Sequence, residues 1–441
     1  MRSCSLLIGK SQEQAMYASD EEDTIDDRQR WSPATQLCRE PVSSLLGKNA
    51  PVTPAPARWM GGPFVRLLAT NMAFGFSISC FYLFPKYLTV SYSATPGAVG
   101  VVMGIFGLTC VLVVPWLGRA VSGLGLARTL FLSQMLMAAG SFAFALVHGI
   151  GPAMLLLRVL QGLATAGVLT AGVTMVCELA PPHKLGQAMG LAGAASLTMN
   201  AIAPAVAEPI GARYGFVWVF VLSGFAAVIG GLTARTLPAT GARVGQPSRG
   251  LVFIPRRARP ILFVLGFSGA GFYVVMTFLV PLALSRGVNA VRGFFVAYTV
   301  AALAIRLLGG AVTDRLGLRR TAIFGMLAYG GFIAAIATIG PRSIVLLGLG
   351  FGFAHGALFP ALMALVFLGT EPAERAQLAS LANGVMNLGM LSVLGFGQVA
   401  NHFGLVSVFL ATGTLVAVSV LLLTRNALGA SANADSILHD R

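Results

Sequence analysis

Beyond residue 60 the chain is a series of long apolar runs separated by short polar or Gly/Pro breaks. A helix that crosses a bilayer needs about twenty mostly apolar residues, because in lipid every backbone polar group must be satisfied within the segment. Twelve runs meet that length, at approximately 66–88, 97–116, 128–148, 151–176, 185–208, 217–236, 260–284, 293–312, 320–340, 342–366, 377–400 and 405–424. Gly149-Ile150-Gly151-Pro152, Pro181-Pro182 and Gly340-Pro341 divide the longest of them. The runs are continuous and too long for the short alternating segments of a β-barrel, so the pattern predicts an all-α polytopic membrane protein.

Composition agrees, and charge adds an orientation. Charged residues are only 10% of the 441 and hydrophobic residues 56%, whereas soluble proteins carry about 25% charge. The formal charge of +15 would suit nucleic acid, but the basic residues are thinly spread between apolar runs apart from a cluster at 243–259, and no recognition helix or stacking platform accompanies them. No nucleic-acid partner is expected. With both ends inside, the inward loops between spans carry thirteen Lys/Arg and the outward loops five, namely Lys86, Arg213, Arg286, Arg292 and Arg342. This imbalance predicts a multi-pass protein of the bacterial inner (cytoplasmic) membrane with cytoplasmic termini. The cluster Arg256–Arg259 then faces membrane lipid headgroups.

Cys4, Cys38, Cys80, Cys110 and Cys177 show neither CxxC nor zinc-ligand spacing, so no disulfide framework, metal or cofactor is expected. Residues 1–60, with the acidic patch Asp20-Glu21-Glu22-Asp23, read as a polar cytoplasmic tail rather than a signal peptide.

The hydrophobic region also repeats. Gly118–Arg128 aligns with Gly310–Arg320 at an offset of 192, Gly186–Gly193 with Ala376–Asn383 at 190, and Tyr214–Phe216 with Phe403–Leu405 at 189. Three correspondences in order, with a slowly drifting offset, predict two pseudo-symmetric six-helix bundles. The expected organisation is a tail at 1–60, an N-terminal bundle at 61–237, a basic cytoplasmic linker at 238–259, a C-terminal bundle at 260–428 and a second tail at 429–441. Two such bundles can enclose a midplane cavity and expose it alternately to either side.

Gly310, Asp314, Arg315, Gly317, Arg319 and Arg320 fit a family loop between spans eight and nine, and over roughly residues 61–428 the sequence resembles the major facilitator superfamily. The resemblance implies the major facilitator fold and a cytoplasmic gate at this loop. There Gly310 would permit close helix approach, Gly317 a tight turn, and Asp314 a pairing with Arg or a helix end. The first-half copy keeps Gly118, Gly125 and Arg128 but has Ser122 where the family usually has Asp, so the gate is expected to rely on the Asp314 side. Arg158-Val159-Leu160-Gln161-Gly162 resembles the family's R-x-x-x-G pattern, and Gly352–Pro360 resembles its sugar and drug efflux-like branch.

Charges inside spans are costly unless they are paired, hydrated or facing a cavity, so the few polar groups there are the candidates for substrate binding or coupling. Arg158 in span four could neutralise an anion, pair with a carboxylate, or tie to Gln161. Arg306 in span eight could contact substrate or serve a gate. His355 in span ten could titrate during transport. Glu208 near the outer end of span five could bind a proton or pair with Arg213. Asn71, Asn200 and Asn383 offer hydrogen bonds, while Tyr82, Tyr273, Phe278 and Tyr298 offer apolar or stacking surface.

The expected function is a secondary active transporter, a proton-coupled exporter of a small organic molecule by alternating access, working as a monomer. An uptake carrier or uniporter for an anionic organic solute is the nearest alternative, and a non-transporting receptor or scaffold a further one. No HExxH motif, serine triad, paired catalytic carboxylates or phosphate loop supports an enzyme.

Overall fold

A computed structural model describes residues 60–181, 184–238, 254, 258–308, 316–368 and 372–424. The proposed tails and most of the basic linker lie outside the described residues. The first pass, α1 (Gly62–Tyr92), is interrupted by a 3-10 turn at Phe81–Leu83. It is followed by α2 (Pro96–Leu124), α3 (Leu126–Phe144), α4 (Pro152–Leu179), α5 (Leu185–Tyr214) and α6 (Phe216–Ala234). The second series is α7 (Ala258–Ser285), α8 (Arg292–Leu308), α9 (Leu318–Ala335) and α10 (Ile344–Phe367). The last two passes form one run of helix bent at Gly404, here α11 (372–403) and α12 (405–424). Among the described residues nine stretches are long and apolar enough to cross a membrane. One of these contains both α11 and α12, and α3 and α8 complete the twelve expected passes.

The duplication is visible in the backbone. Gly125 (φ 83°, ψ 157°), Gly215 (φ 93°, ψ 160°), Gly317 (φ 78°, ψ 148°) and Gly404 (φ 80°, ψ 164°) all hold the same conformation. That region is essentially closed to residues with a Cβ. Gly125, Gly215 and Gly404 each end one pass and start the next without an intervening loop, and Gly317 directly precedes the first residue of α9. The pairs Gly125/Gly317 and Gly215/Gly404 are those matched by the sequence repeat. The same turn occurring twice within each half is what an inverted three-helix repeat produces.

Each half packs by the same helix pairs. α1 lies against α5 and α6, and α4 against α2 and α3; correspondingly α7 lies against α11 and α12, and α10 against α8 and α9. The halves meet through α2 with α11 and α5 with α8. We call the end where the described chain starts and finishes the terminal end, and the opposite one the far end. Along α2 the glycines Gly97, Gly100, Gly104 and Gly107 lie directly on Asn401, Gly397, Leu394 and Met390 of α11, starting at the far end. Toward the terminal end, a Cβ at Gly186, Gly190 or Gly193 of α5, or at Gly384 of α11, would meet nothing within 4 Å. The halves are closed on each other at the far end and apart toward the terminal end.

A Cβ at Gly100 would lie 2.8 Å from the Gly397 Cα and 3.0 Å from the Val393 carbonyl oxygen. Gly100→Ala is therefore expected to destabilise the protein by about 1–3 kcal/mol. Gly190→Ala, facing open space within a helix, should be neutral or stabilising by up to about 1 kcal/mol. Thermal melting of the two purified variants in detergent checks the contrast, and equal melting temperatures would contradict a close-packed α2–α11 seam.

Candidate substrate cavity and far-end latch

A cavity of about 140 Å³ lies between the halves. Ile78, Phe81 and Tyr82 of α1, Met103 and Phe106 of α2 and Arg158 of α4 line it on one side. Phe272, Tyr273, Met276 and Thr277 of α7 with Met390 and Val393 of α11 line it on the other.

Arg158 is 1% exposed. Its Nε donates to the Val102 carbonyl (3.2 Å), one terminal nitrogen to Gln161 Oε1 (2.9 Å) and the other to the Met103 sulfur (3.3 Å). Phe106, Phe84 and Phe81 surround the guanidinium, with ring centroids 4.7, 5.2 and 5.9 Å away. Gly162 explains how α2 comes close enough to supply Val102, because a Cβ there would lie 2.6 Å from the Phe106 carbonyl oxygen. This is the local reason for the R-x-x-x-G spacing. All the acceptors are neutral. Between residues 60 and 424 the carboxylates are Glu178, Glu208, Asp314, Glu371 and Glu374, each near the end of a pass or between passes. The cavity thus presents a full positive charge held by dipoles and π faces alone.

Two tyrosines face the cavity from equivalent places in the halves, 191 residues apart. Tyr273 donates to Asn387 Oδ1 (2.7 Å). Tyr82 makes a longer contact with Asn200 Oδ1 (3.5 Å), which also accepts from Ser79 (2.9 Å), and its ring stacks on Phe295. Other candidates lie elsewhere. Phe278 is fully buried in the core of the second half and does not line the cavity. Tyr298 and His355 bond to each other (3.1 Å) behind Phe272. Arg306 rests over Phe359. Asn71 lies beside Gly172 of α4, and Asn383 is part-buried in α11.

At the far end Glu208 is the centre of a latch. It pairs with Lys86 (2.6 Å), not with Arg213, whose guanidinium sits over Tyr214. Glu208 also accepts from the Val291 amide (3.0 Å) and the Arg292 amide (2.7 Å). Arg292 is the first residue of α8, so a carboxylate of the first half satisfies free amides and the positive dipole end of a helix in the second half. Lys86 reaches across as well, donating to the Asn289 carbonyl (2.5 Å). A cleft of about 210 Å³ that includes Lys86, Glu208 and Phe216 lies alongside.

The sequence pattern of the Major Facilitator Superfamily matches residues 67–303 and 293–436. The chain belongs to the Major Facilitator Superfamily. Among curated proteins it is 27% identical, over 299 residues, to an uncharacterized MFS-type transporter, YceJ, of Bacillus subtilis (strain 168), covering 62% of this chain and 74% of that one. Among solved structures it is similar to the nucleoside transporter NupG. A point mutant of NupG superposes with a TM-score of 0.69 at 16% identity, covering 82% of this chain and 99% of that one. A second NupG structure superposes with a TM-score of 0.66 at 17% identity, covering 83% and 99%. As a major facilitator protein the chain is a multi-pass membrane transporter with a small-molecule substrate.

Of the facilitator gate expected at the terminal end, Gly310, Asp314 and Arg315 lie outside the described residues, and of Gly118 and Ser122 only the helical backbone is described. Gly125 and Gly317 form the turns already described. Arg319 donates to the Leu423 and Thr424 carbonyls at the end of α12, while Arg128 and Arg320 are exposed. Of these three cations Arg319 alone thus satisfies carbonyls in the last described turn of α12. Sequence reasoning missed Lys86, Asn387 and the α7–α8 connection. Lys86 had a usable signal: it lies in the last turns of an apolar span and needs a counter-charge.

Replacing Glu208 by Gln removes the charge that holds Lys86 and weakens both amide contacts, so the far end should open more often. In a variant whose native cysteines are serine, a cysteine placed at the fully buried Ala207 should react roughly tenfold faster with a membrane-impermeant thiol reagent once Glu208→Gln is added. Unchanged labelling would mean that the ion pair does not hold the far end shut.

Proposed function

We propose that this transporter moves a small organic anion through the central cavity by alternating access. The observation that carries the proposal is Arg158, a buried guanidinium at a cavity with no carboxylate to balance it. Desolvating a lone cation is unfavourable by several kcal/mol, and an anionic substrate would supply the missing charge when it binds. The aromatic walls suit a ring or an apolar body attached to the anionic group. Positive-inside charge makes the terminal end cytoplasmic, so the arrangement described is inward-facing, with the far-end latch closed to the outside.

Export in exchange for protons is the direction we propose, on the resemblance of Gly352–Pro360 to efflux carriers. Glu208 acts in this scheme as a gate whose charge favours the inward-facing state. Uptake of the same anion, or its uniport, uses the same cavity and differs in what drives it. The site is complete within one chain, which supports a monomer as the transporting unit in the bacterial inner membrane.

The test is transport of a carboxylate panel by purified protein in proteoliposomes. Arg158→Gln should lower transport at least roughly tenfold, while Arg158→Lys, which keeps charge but loses the forked donors, should retain part of it. A proton gradient opposing the anion flux should accelerate efflux from the cytoplasmic face. Counterflow that ignores the gradient would reassign the protein as a uniporter, and full activity of Arg158→Gln would remove the anion proposal.

A further inference from the structure

Arg306 is a second intramembrane guanidinium with no acidic partner among the described residues. Its Nε is buried and makes no hydrogen bond, and its guanidinium carbon stands 5.7 Å from the Phe359 ring centroid. The His355 ring stands 6.3 Å from the same Phe359 ring. His355 is 3% exposed and its Nε2 is likewise buried without a partner. Its other nitrogen, Nδ1, is taken by the Tyr298 hydroxyl at 3.1 Å. When Tyr298 donates in that bond, the imidazole proton sits on Nε2, and two N–H groups around one aromatic ring are left without acceptors. Leaving buried donors unpaired is unfavourable, and an anion between them would satisfy both.

The position of this cluster relative to the cavity is informative. Arg158 lies roughly two turns from the far-end start of α4, His355 roughly three from that of α10, and Arg306 roughly four from that of α8. The order Arg306, His355, Arg158 therefore runs from the terminal end, where the halves are apart, toward the cavity. His355 stacks on Phe272 with centroids 5.3 Å apart and planes at 22°, and Phe272 lines the cavity. One aromatic side chain thus separates the two groups of donors.

We propose that Arg306 and His355 form a second oxyanion station, distinct from Arg158, at which a carboxylate or phosphate group is held between the terminal end and the central cavity. The station rests on the reading that the cavity takes an anion. Arg306 supplies the charge, His355 a directed donor, and Phe359 a wall for the apolar part of the solute. A buried donor pair of this kind selects a charged oxygen over a neutral one, because only the charged group offsets the desolvation of the guanidinium.

Isothermal titration of the full-length protein in detergent, with benzoate and inorganic phosphate as probes, tests this. The wild type should take up two equivalents of at least one probe. Arg158→Gln and Arg306→Gln should each lose one, and the double variant both. His355→Leu, which keeps the Arg306 charge, should weaken only the Arg306-dependent site by roughly tenfold. Benzoate alone at that site identifies a carboxylate station, and phosphate alone a phosphate one. A wild type that shows the Arg306-dependent site but no Arg158-dependent one would remove the function proposed above and leave the station standing. The station is overturned if neither probe shows an Arg306-dependent site, or if His355→Leu leaves that site's affinity unchanged. Where Arg306→Gln does not fold, the station is the site that survives in Arg158→Gln, and its unchanged affinity on adding His355→Leu overturns the proposal.

Discussion

The two halves of the molecule are held by contacts that require the absence of side chains. At Gly100 and Gly397 the backbones of α2 and α11 touch, which places a seam between the bundles at one end of the structure only. In lipid no hydrophobic force draws helices together, so close van der Waals packing of small residues and the hydrogen bonds beside it must supply the attraction. The Gly97 amide bonded to Asn401 Oδ1 at 2.8 Å is one such bond, and the latch of Glu208 and Lys86 supplies three more between the halves. Everything enclosed by the halves, including the cavity, takes its shape from where this seam begins and ends.

Charge is distributed with similar economy. The described spans hold few ionisable groups, and each is used differently. Lys86 and Glu208 neutralise one another at the far end, Arg319 satisfies the carbonyl end of α12, and Arg158 and Arg306 face no acid among the described residues. A cation–π contact is worth about 2 kcal/mol when desolvated, so the three rings around Arg158 offset a large part of its desolvation. The packing of α4 against α2 is what brings the Val102 carbonyl and the Phe106 ring to that guanidinium.

Much of the fold was legible in the sequence for a simple reason: a bilayer imposes a length and a composition on each pass, and both are local properties. The twelve runs, the duplication and the turn at Gly317 all followed from such properties. Of the glycine turns only the one at Gly317 was expected; those at Gly125, Gly215 and Gly404 hold the same positive-φ conformation and lie at positions the repeat pairs, but their conformation came from the structure. The site was less legible. Arg158 was singled out because charged groups are rare in spans, and Tyr82 and Tyr273 as apolar or stacking surface; all three line the cavity between the halves. Phe278 satisfied the same sequence criterion as Tyr273, yet its position on α7 turns it into the core.

Sequence alone therefore determined which segments cross the membrane, that they come in two related sets, and which buried groups are expensive enough to need a purpose. Only the tertiary structure decided how those groups are paired. It joined Glu208 to Lys86 and the start of α8, not to the nearby Arg213, and it set Tyr298 against His355 behind Phe272. The physical reason is that the cost of burying a charge is set by one residue and its span. The partner that offsets the cost comes from another helix, and the rotation that brings it close is fixed by packing throughout the bundle.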